Sequence, residues 1–301
     1  MRAGVSGLFF ALCFMAAPMS AMLAPVAMAA SVDLPKPFVA QHRGQFTQGG
    51  LIVMQLQPHT QVFLNDAPID VLDNQAVIGF GRDAPLQQQL KFVDMAAKTQ
   101  TAVLELTLRP RDYQIQRIEG LPQKMVTPPA EALEKIRRQG KIKRAARAQS
   151  VRQTWFAEPF VWPVEGRISG VYGSQRFYNG EPRRPHFGVD IAAPRKTPVR
   201  APASGRVSLA ETDMYFEGGL IFIDHGLSVT SVFMHLDSVN VAVGDIVQQG
   251  DVIGRVGSTG RSTGPHLDWR MYWQQQRIDP ALLVPPMTAK PSRAGKGKKP
   301  Q

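Results

Sequence analysis

Apolar positions in this chain recur mainly with a period of two, the spacing of strands with one buried face. Phe187, Val189 and Ile191 alternate with His186, Gly188 and Asp190; Leu267, Trp269 and Met271 alternate with His266, Asp268 and Arg270. Earlier in the chain, strands are predicted at 49–53, 61–64, 76–81 and 101–108, with turns at Asn65-Asp66 and Arg82-Asp83-Ala84-Pro85. Runs at 170–173, 204–207, 218–223 and 230–233 continue the pattern. One stretch, 127–152, reads as a helix: Thr127 is a candidate N-cap, Pro128-Pro129 the start, and Glu131 and Glu134 occupy the first turns. It carries Lys135, Arg137, Arg138, Lys141, Lys143, Arg144 and Arg147 but few strongly apolar residues, which predicts a solvated helix with no buried stripe.

The reading is therefore an all-β chain. The expected layout is an export signal at 1–29, a small β-sandwich-like domain at 30–125, a basic helical linker at 126–154, a strand-dense antiparallel domain at 155–285 and a basic, disordered tail at 286–301. The export signal rests on Arg2, the apolar run 8–17 and the small-x-small site Ala27-Met28-Ala29. Pro18 cuts the apolar run short of the ~20 residues a spanning helix needs. Cys13, the only cysteine, lies inside this segment, and Leu12 stands where a lipidated cysteine has a small residue. The mature chain thus offers neither disulfides nor thiolate ligands.

Charge adds a partner class. Lys and Arg number 35 against 24 Asp and Glu, for a net charge of +11. Such a surface suits anionic wall polymer, anionic lipid or nucleic acid. Export argues against nucleic acid, as does the lack of aromatic stacking residues among the basic clusters. The basic linker and tail are the expected contacts with wall polymer or a membrane surface.

The chemistry is concentrated in the two alternating stretches, each of which sets a histidine and a carboxylate on its open face. Imidazole and carboxylate are ligands of catalytic zinc, which takes three protein groups and keeps one position free. On a straight strand His186 and Asp190 would stand roughly 13 Å apart, so sharing an ion requires a bend, for which Gly188 is the natural place. The second stretch supplies candidates for the third ligand. His225, in a turn, and His42 and His59, in polar turn-like surroundings without a placed carboxylate, read as structural.

The motif His186-x-x-x-Asp190, followed by Gly260-Arg261-Ser262-Thr263-Gly264-Pro265-His266-Leu267, resembles the M23 (lysostaphin-type) zinc metallopeptidases, which cut peptide cross-links of bacterial peptidoglycan. Trp162-Pro163-Val164, Gly166-Arg167-Ile168, Phe233-Met234-His235-Leu236, Gly244-Asp245-Ile246-Val247 and Gly250-Asp251-Val252-Ile253-Gly254 extend the resemblance over about 160–283. It implies a β-sheet groove with Zn2+ on its floor, held by His186, Asp190 and position 268, with His235 and His266 as catalytic residues. Position 268 departs from the family, which has histidine there. Asp268 leaves three readings: a working His/Asp/Asp site, an altered metal preference, or a lost metal. A second carboxylate should make the site less positive and acidify water less. The expected function is a zinc endopeptidase acting on peptidoglycan in the periplasm or cell envelope during wall remodelling. The alternative is an inactive M23-like adaptor that activates another wall hydrolase.

Overall fold

Leu267, Trp269 and Met271 are fully buried on one face of the strand His266–Trp273, as their alternation requires. The computed structural model describes residues 32–97, 100–120 and 128–287; the export segment, Thr127 and all of the expected tail beyond Met287 lie outside them. The described residues are nearly all β.

His266–Trp273 is a central strand of a ten-stranded sheet. Arg167–Gly170, Val189–Ala192, His266–Trp273, Val229–Val239, Gly218–Asp224, Gly205–Met214 and Ile246–Val247 follow one another across it. Pro198–Arg200 and Val252–Val256 pair with each other, and the latter also pairs with Val229–Val239. Gln276–Ile278 pairs with His266–Trp273. The centre is built of fully buried Phe233, Trp269, Leu220 and Ile221.

Two four-stranded antiparallel sheets occupy the earlier part of the chain. One runs Val39–Gly44, Leu51–Leu56, Gln75–Gly79, Val71–Leu72; the other Ala67–Ile69, Thr60–Leu64, Gln87–Asp94, Thr101–Thr107. Asn65 and Asp66 form the expected turn, both left-handed with φ of 48° and 65°. Val39–Gly44 and Gln87–Asp94 were not legible as strands. The inward face of the latter begins with Gln88, a buried amide bonded to Asn65 and the Pro85 carbonyl, so it lacks the apolar start that marks a strand.

From Leu34 onward the described residues form one compact unit. Arg111 pairs with buried Asp279 at 2.8 Å, Arg82 Nε donates to the Gly173 carbonyl at 2.8 Å, and Tyr113 packs edge-on against Tyr172. The chain then adds a strand beside the later domain: Ile115–Ile118 pairs with Gln175–Tyr178 in parallel, an exception to the antiparallel expectation.

The helix spans Ala130–Ala148 and is not a solvated linker. Ala132, Gln139 and Ala146, seven residues apart, are buried on one face. Their small or polar side chains escaped an apolar count, yet small residues allow close approach to the sheet. Ala146 joins Leu209, Met214, Leu220, Phe222, Val232 and Met234 in one core cluster. Gln139 donates to the Asp213 carbonyl and accepts from the Tyr215 amide, Lys135 pairs with Asp213 at 2.7 Å, and Lys143 pairs with Glu217. The helix thus braces the turn that carries Phe216 and Glu217 to the rim of the groove described next.

Candidate functional site

Register places the two carboxylates. Val189–Ala192 pairs with His266–Trp273 so that Asp190 stands directly opposite Asp268. Gly170 stands opposite Asp190 on the other side, and a Cβ there would collide with the Asp190 carboxylate. The strand begins only at Val189, and the chain bends at Gly188 as anticipated. That bend folds His186 back, and its Nε2 lies 3.0 Å from Asp190 Oδ1. A Cβ on Gly188 would sit 2.5 Å from Arg270 Cγ and 2.6 Å from Asp268 Oδ1, so glycine there also makes room for the neighbouring strand's side chains.

His186, Asp190 and Asp268 each offer one ligand atom, and these lie within 4.8 Å of one another. Both ring nitrogens of His186 and Oδ1 of Asp190 are buried without a hydrogen-bond partner. The 3.0 Å approach of His186 Nε2 to Asp190 Oδ1 is an ion-pair distance. Buried polar atoms are nearly always satisfied, and two orphaned ligand atoms aimed at a common point are what a metal site supplies. The donor set, one imidazole and two carboxylates, fits a divalent metal.

The carboxylates have partners that sequence reading did not assign. Arg176 Nη2 donates to Asp190 Oδ2 at 2.8 Å, leaving Oδ1 open, and Arg176 Nε donates to Gln116 Oε1 at 3.3 Å. Gln116 belongs to the parallel strand Ile115–Ile118, so the earlier part of the chain reaches the site. Arg270 grips Asp268 with Nε to Oδ1 at 2.9 Å and Nη2 to Oδ2 at 2.7 Å. Burial opposes ionisation of Asp268, but Arg270 together with His186 and His235 holds the carboxyl well below the usual range. Burial and Asp268 also push Asp190 up, yet His186 and Arg176 leave it below its ordinary value. Arg270 could have been suspected from the alternation that places it on the face of Asp268. Arg176 and Gln116 gave no sequence signal.

His235 and His266 come together across the same sheet, ring centroids 4.8 Å apart. Met234 and His235 stand opposite the single Leu220 in a β-bulge, and His235 takes the left-handed conformation with φ of 65°. Strained backbone of this kind clusters at functional sites. His235 Nδ1 lies 2.9 Å from the Thr259 carbonyl and His266 Nδ1 2.8 Å from the Gly264 carbonyl. A carbonyl only accepts, so each Nδ1 carries the proton and each Nε2 presents a lone pair. His266 Nε2 is 3.9 Å from Asp190 Oδ1. Burial lowers the pKa of His235. The loop 257–265 thus orients both rings through its backbone. His225 is elsewhere: fully buried, it binds the Ser204 carbonyl and Ser231 Oγ. His42 and His59 are exposed, the first on the strand Val39–Gly44 and the second just before Thr60–Leu64.

Asp190, Asp268, Arg176, Arg270, His235 and His266 line a groove of about 670 Å³. Its walls add Arg117, Arg167, Tyr178, Phe216 and Arg261.

Residues 184–280 match the sequence profile of peptidase family M23. The chain is 39% identical over 134 residues to the DD-carboxypeptidase/endopeptidase Mpg of Neisseria meningitidis, covering 44% of this chain and 30% of that protein. It is 35% identical over 131 residues to the peptidoglycan DD-endopeptidase ShyA of Vibrio cholerae, covering 42% and 30%. The match thus spans about a third of the length of these curated relatives. A crystal structure of a putative M23 peptidase from Pseudomonas aeruginosa superposes with a TM-score of 0.61 at 30% identity, covering 79% of this chain and 95% of that one. With the His-x-x-x-Asp cluster, the paired histidines and a match over nearly the whole of that structure, the chain belongs to peptidase family M23.

Proposed function

We propose that the chain is a zinc-dependent endopeptidase that hydrolyses peptide cross-links of bacterial peptidoglycan in the cell envelope. The observation that carries this reading is the pair of buried, partnerless atoms His186 Nε2 and Asp190 Oδ1, 3.0 Å apart beside two histidines with open Nε2 atoms. His186, Asp190 and Asp268 would hold the metal. Bound there, it supplies Lewis acidity that polarises the scissile carbonyl and acidifies water. His235, kept neutral by burial, accepts the proton of the attacking water. Because both Nδ1 protons are committed to carbonyls, a neutral ring has none to give the developing oxyanion from Nε2. His266, across from His235 at ring centroids 4.8 Å apart, would stabilise that charge only by also carrying a proton on Nε2. Arg117 and Arg167 on the walls favour an acidic peptide. The names of Mpg and ShyA support the wall peptide as substrate. Arg137, Arg138, Lys141 and Arg144, exposed on the helix, would hold anionic wall polymer or membrane nearby. No described helix is long and apolar enough to cross a membrane.

One observation favours the second reading, an inactive groove that docks a partner hydrolase: both oxygens of Asp268 are engaged by Arg270. Digestion of purified cross-linked peptidoglycan, followed by mass analysis, separates the two. The endopeptidase predicts loss of cross-linked dimers that stops with chelator and returns with zinc. No cleavage and no bound metal would leave the docking role.

A further inference from the structure

Asp190 and Asp268 face each other across one strand pairing, both buried, yet their arginines treat them differently. Arg176 takes only Oδ2 of Asp190 and leaves Oδ1 to the cluster. Arg270 takes both oxygens of Asp268 in a two-point fork. The fork is built into the fold. Arg270 follows Asp268 by two residues on the same strand face, and Gly188 leaves the space that the two side chains fill.

The spacing of the cluster points the same way. Bonds of ~2.0–2.2 Å to a tetrahedral zinc set ligand atoms roughly 3.5 Å apart. His186 Nε2 and Asp190 Oδ1 are already at 3.0 Å, whereas the full set spreads to 4.8 Å. The cluster has to tighten to hold zinc, and Asp268 is the carboxylate whose position Arg270 fixes at both oxygens. Two buried carboxylates on neighbouring strands repel, and each has a guanidinium that offsets its charge.

We propose that Arg270 is a built-in counter-cation that competes with the metal for Asp268. It holds the metal-free site together, and it weakens the grip of the site on zinc. This rests on the metal-site reading above. Arg270 acts through Asp268 and is a positioning residue rather than a catalytic one.

The test uses the full chain carrying Arg270→Met, which keeps a long apolar stem without the charge, and Arg270→Lys, which keeps the charge but not the fork. Zinc affinity is read by competition with a chromophoric chelator, and melting temperature is measured with chelator and with zinc. Arg270→Met should bind zinc at least about tenfold more tightly than the parent, the scale on which partners of metal ligands change affinity. Its chelated form should melt lower than the parent, and zinc should raise its melting temperature by more. Arg270→Lys should fall between the two. A parent that binds zinc while Arg270→Met binds it equally or more weakly would overturn the competition. If Arg270→Met does not fold even with zinc, the lysine variant decides, and an affinity no tighter than the parent's overturns it. Absence of zinc binding in the parent and both variants would instead sink the metal-site reading, and this inference with it.

Discussion

His186 Nε2 lies 3.0 Å from Asp190 Oδ1, with both atoms buried and neither in a hydrogen bond. The four-residue spacing that would separate them by roughly 13 Å on a straight strand is closed by the bend at Gly188. From this pair the rest of the site follows: Asp268 opposite Asp190 in register, and two histidines whose open nitrogens face the same groove.

If His235 and His266 handle protons rather than the metal, replacing either by alanine should cut the turnover of cross-linked peptide by ~10²–10⁴-fold. Zinc affinity should stay within a few-fold of the parent. Steady-state hydrolysis and chelator competition on the same preparations check both halves. The double variant should lose much less than the product of the single losses, because the two rings serve one step.

Arg176 orients Asp190 without closing its Oδ1, so it should help the metal where Arg270 hinders it. Arg176→Met is expected to weaken zinc binding by ~10–100-fold. Gln116→Ala, which removes only the prop behind Arg176, should show the same direction at smaller size. Isothermal titration with zinc distinguishes these signs.

His225 gives a pH signature separate from the groove. Burial pushes its pKa down to about 4 from 6.5, against the favourable Ser204 carbonyl and the weaker pull of Glu158. A histidine depressed in the folded state stabilises the fold fully above pH ~6.5, and that contribution is lost as pH falls toward 4, where the unfolded chain binds the proton first. The loss attributable to His225 is roughly 3 kcal/mol at ~1.4 kcal/mol per pH unit. Denaturant unfolding at pH 7.5 and 4.5 should show His225→Gln less stable than the parent at the higher pH but less sensitive to acid.

Three of the helix's seven basic residues are engaged by neighbours, Lys135 and Lys143 with acidic partners and Arg147 over the Tyr272 ring. Arg137, Arg138, Lys141 and Arg144 remain exposed. Changing these four to glutamine should weaken pelleting with peptidoglycan sacculi at low salt, with the difference vanishing at high salt as screening takes over. Hydrolysis of a small soluble peptide should not change.

Much of the site was legible because strand alternation and motif spacing act locally. The period of two placed Asp190, His266, Asp268 and Arg270 on shared strand faces, and the family pattern singled out His186 and His235. Less was legible where the fold depends on partners distant in sequence. Arg176 reaches Asp190 only because a parallel strand from residues 115–118 props it. Thr259 and Gly264 act through backbone carbonyls, which no side-chain pattern reveals. The helix was misread as solvated because its contact face is made of Ala132, Gln139 and Ala146, small or polar residues that a hydrophobic stripe does not register. The expectation that Asp268 leaves the site less positive than a histidine would also changes, since Arg270 carries the compensating charge.

The central claim is that His186, Asp190 and Asp268 hold one metal ion. Crystals grown with zinc, with anomalous diffraction recorded at the zinc edge, test it most directly. The account predicts a peak joined to His186 Nε2, Asp190 Oδ1 and an oxygen of Asp268, with the Arg270 fork loosened. A map at saturating zinc with no peak in this cluster, and Asp268 still gripped at both oxygens by Arg270, would contradict it.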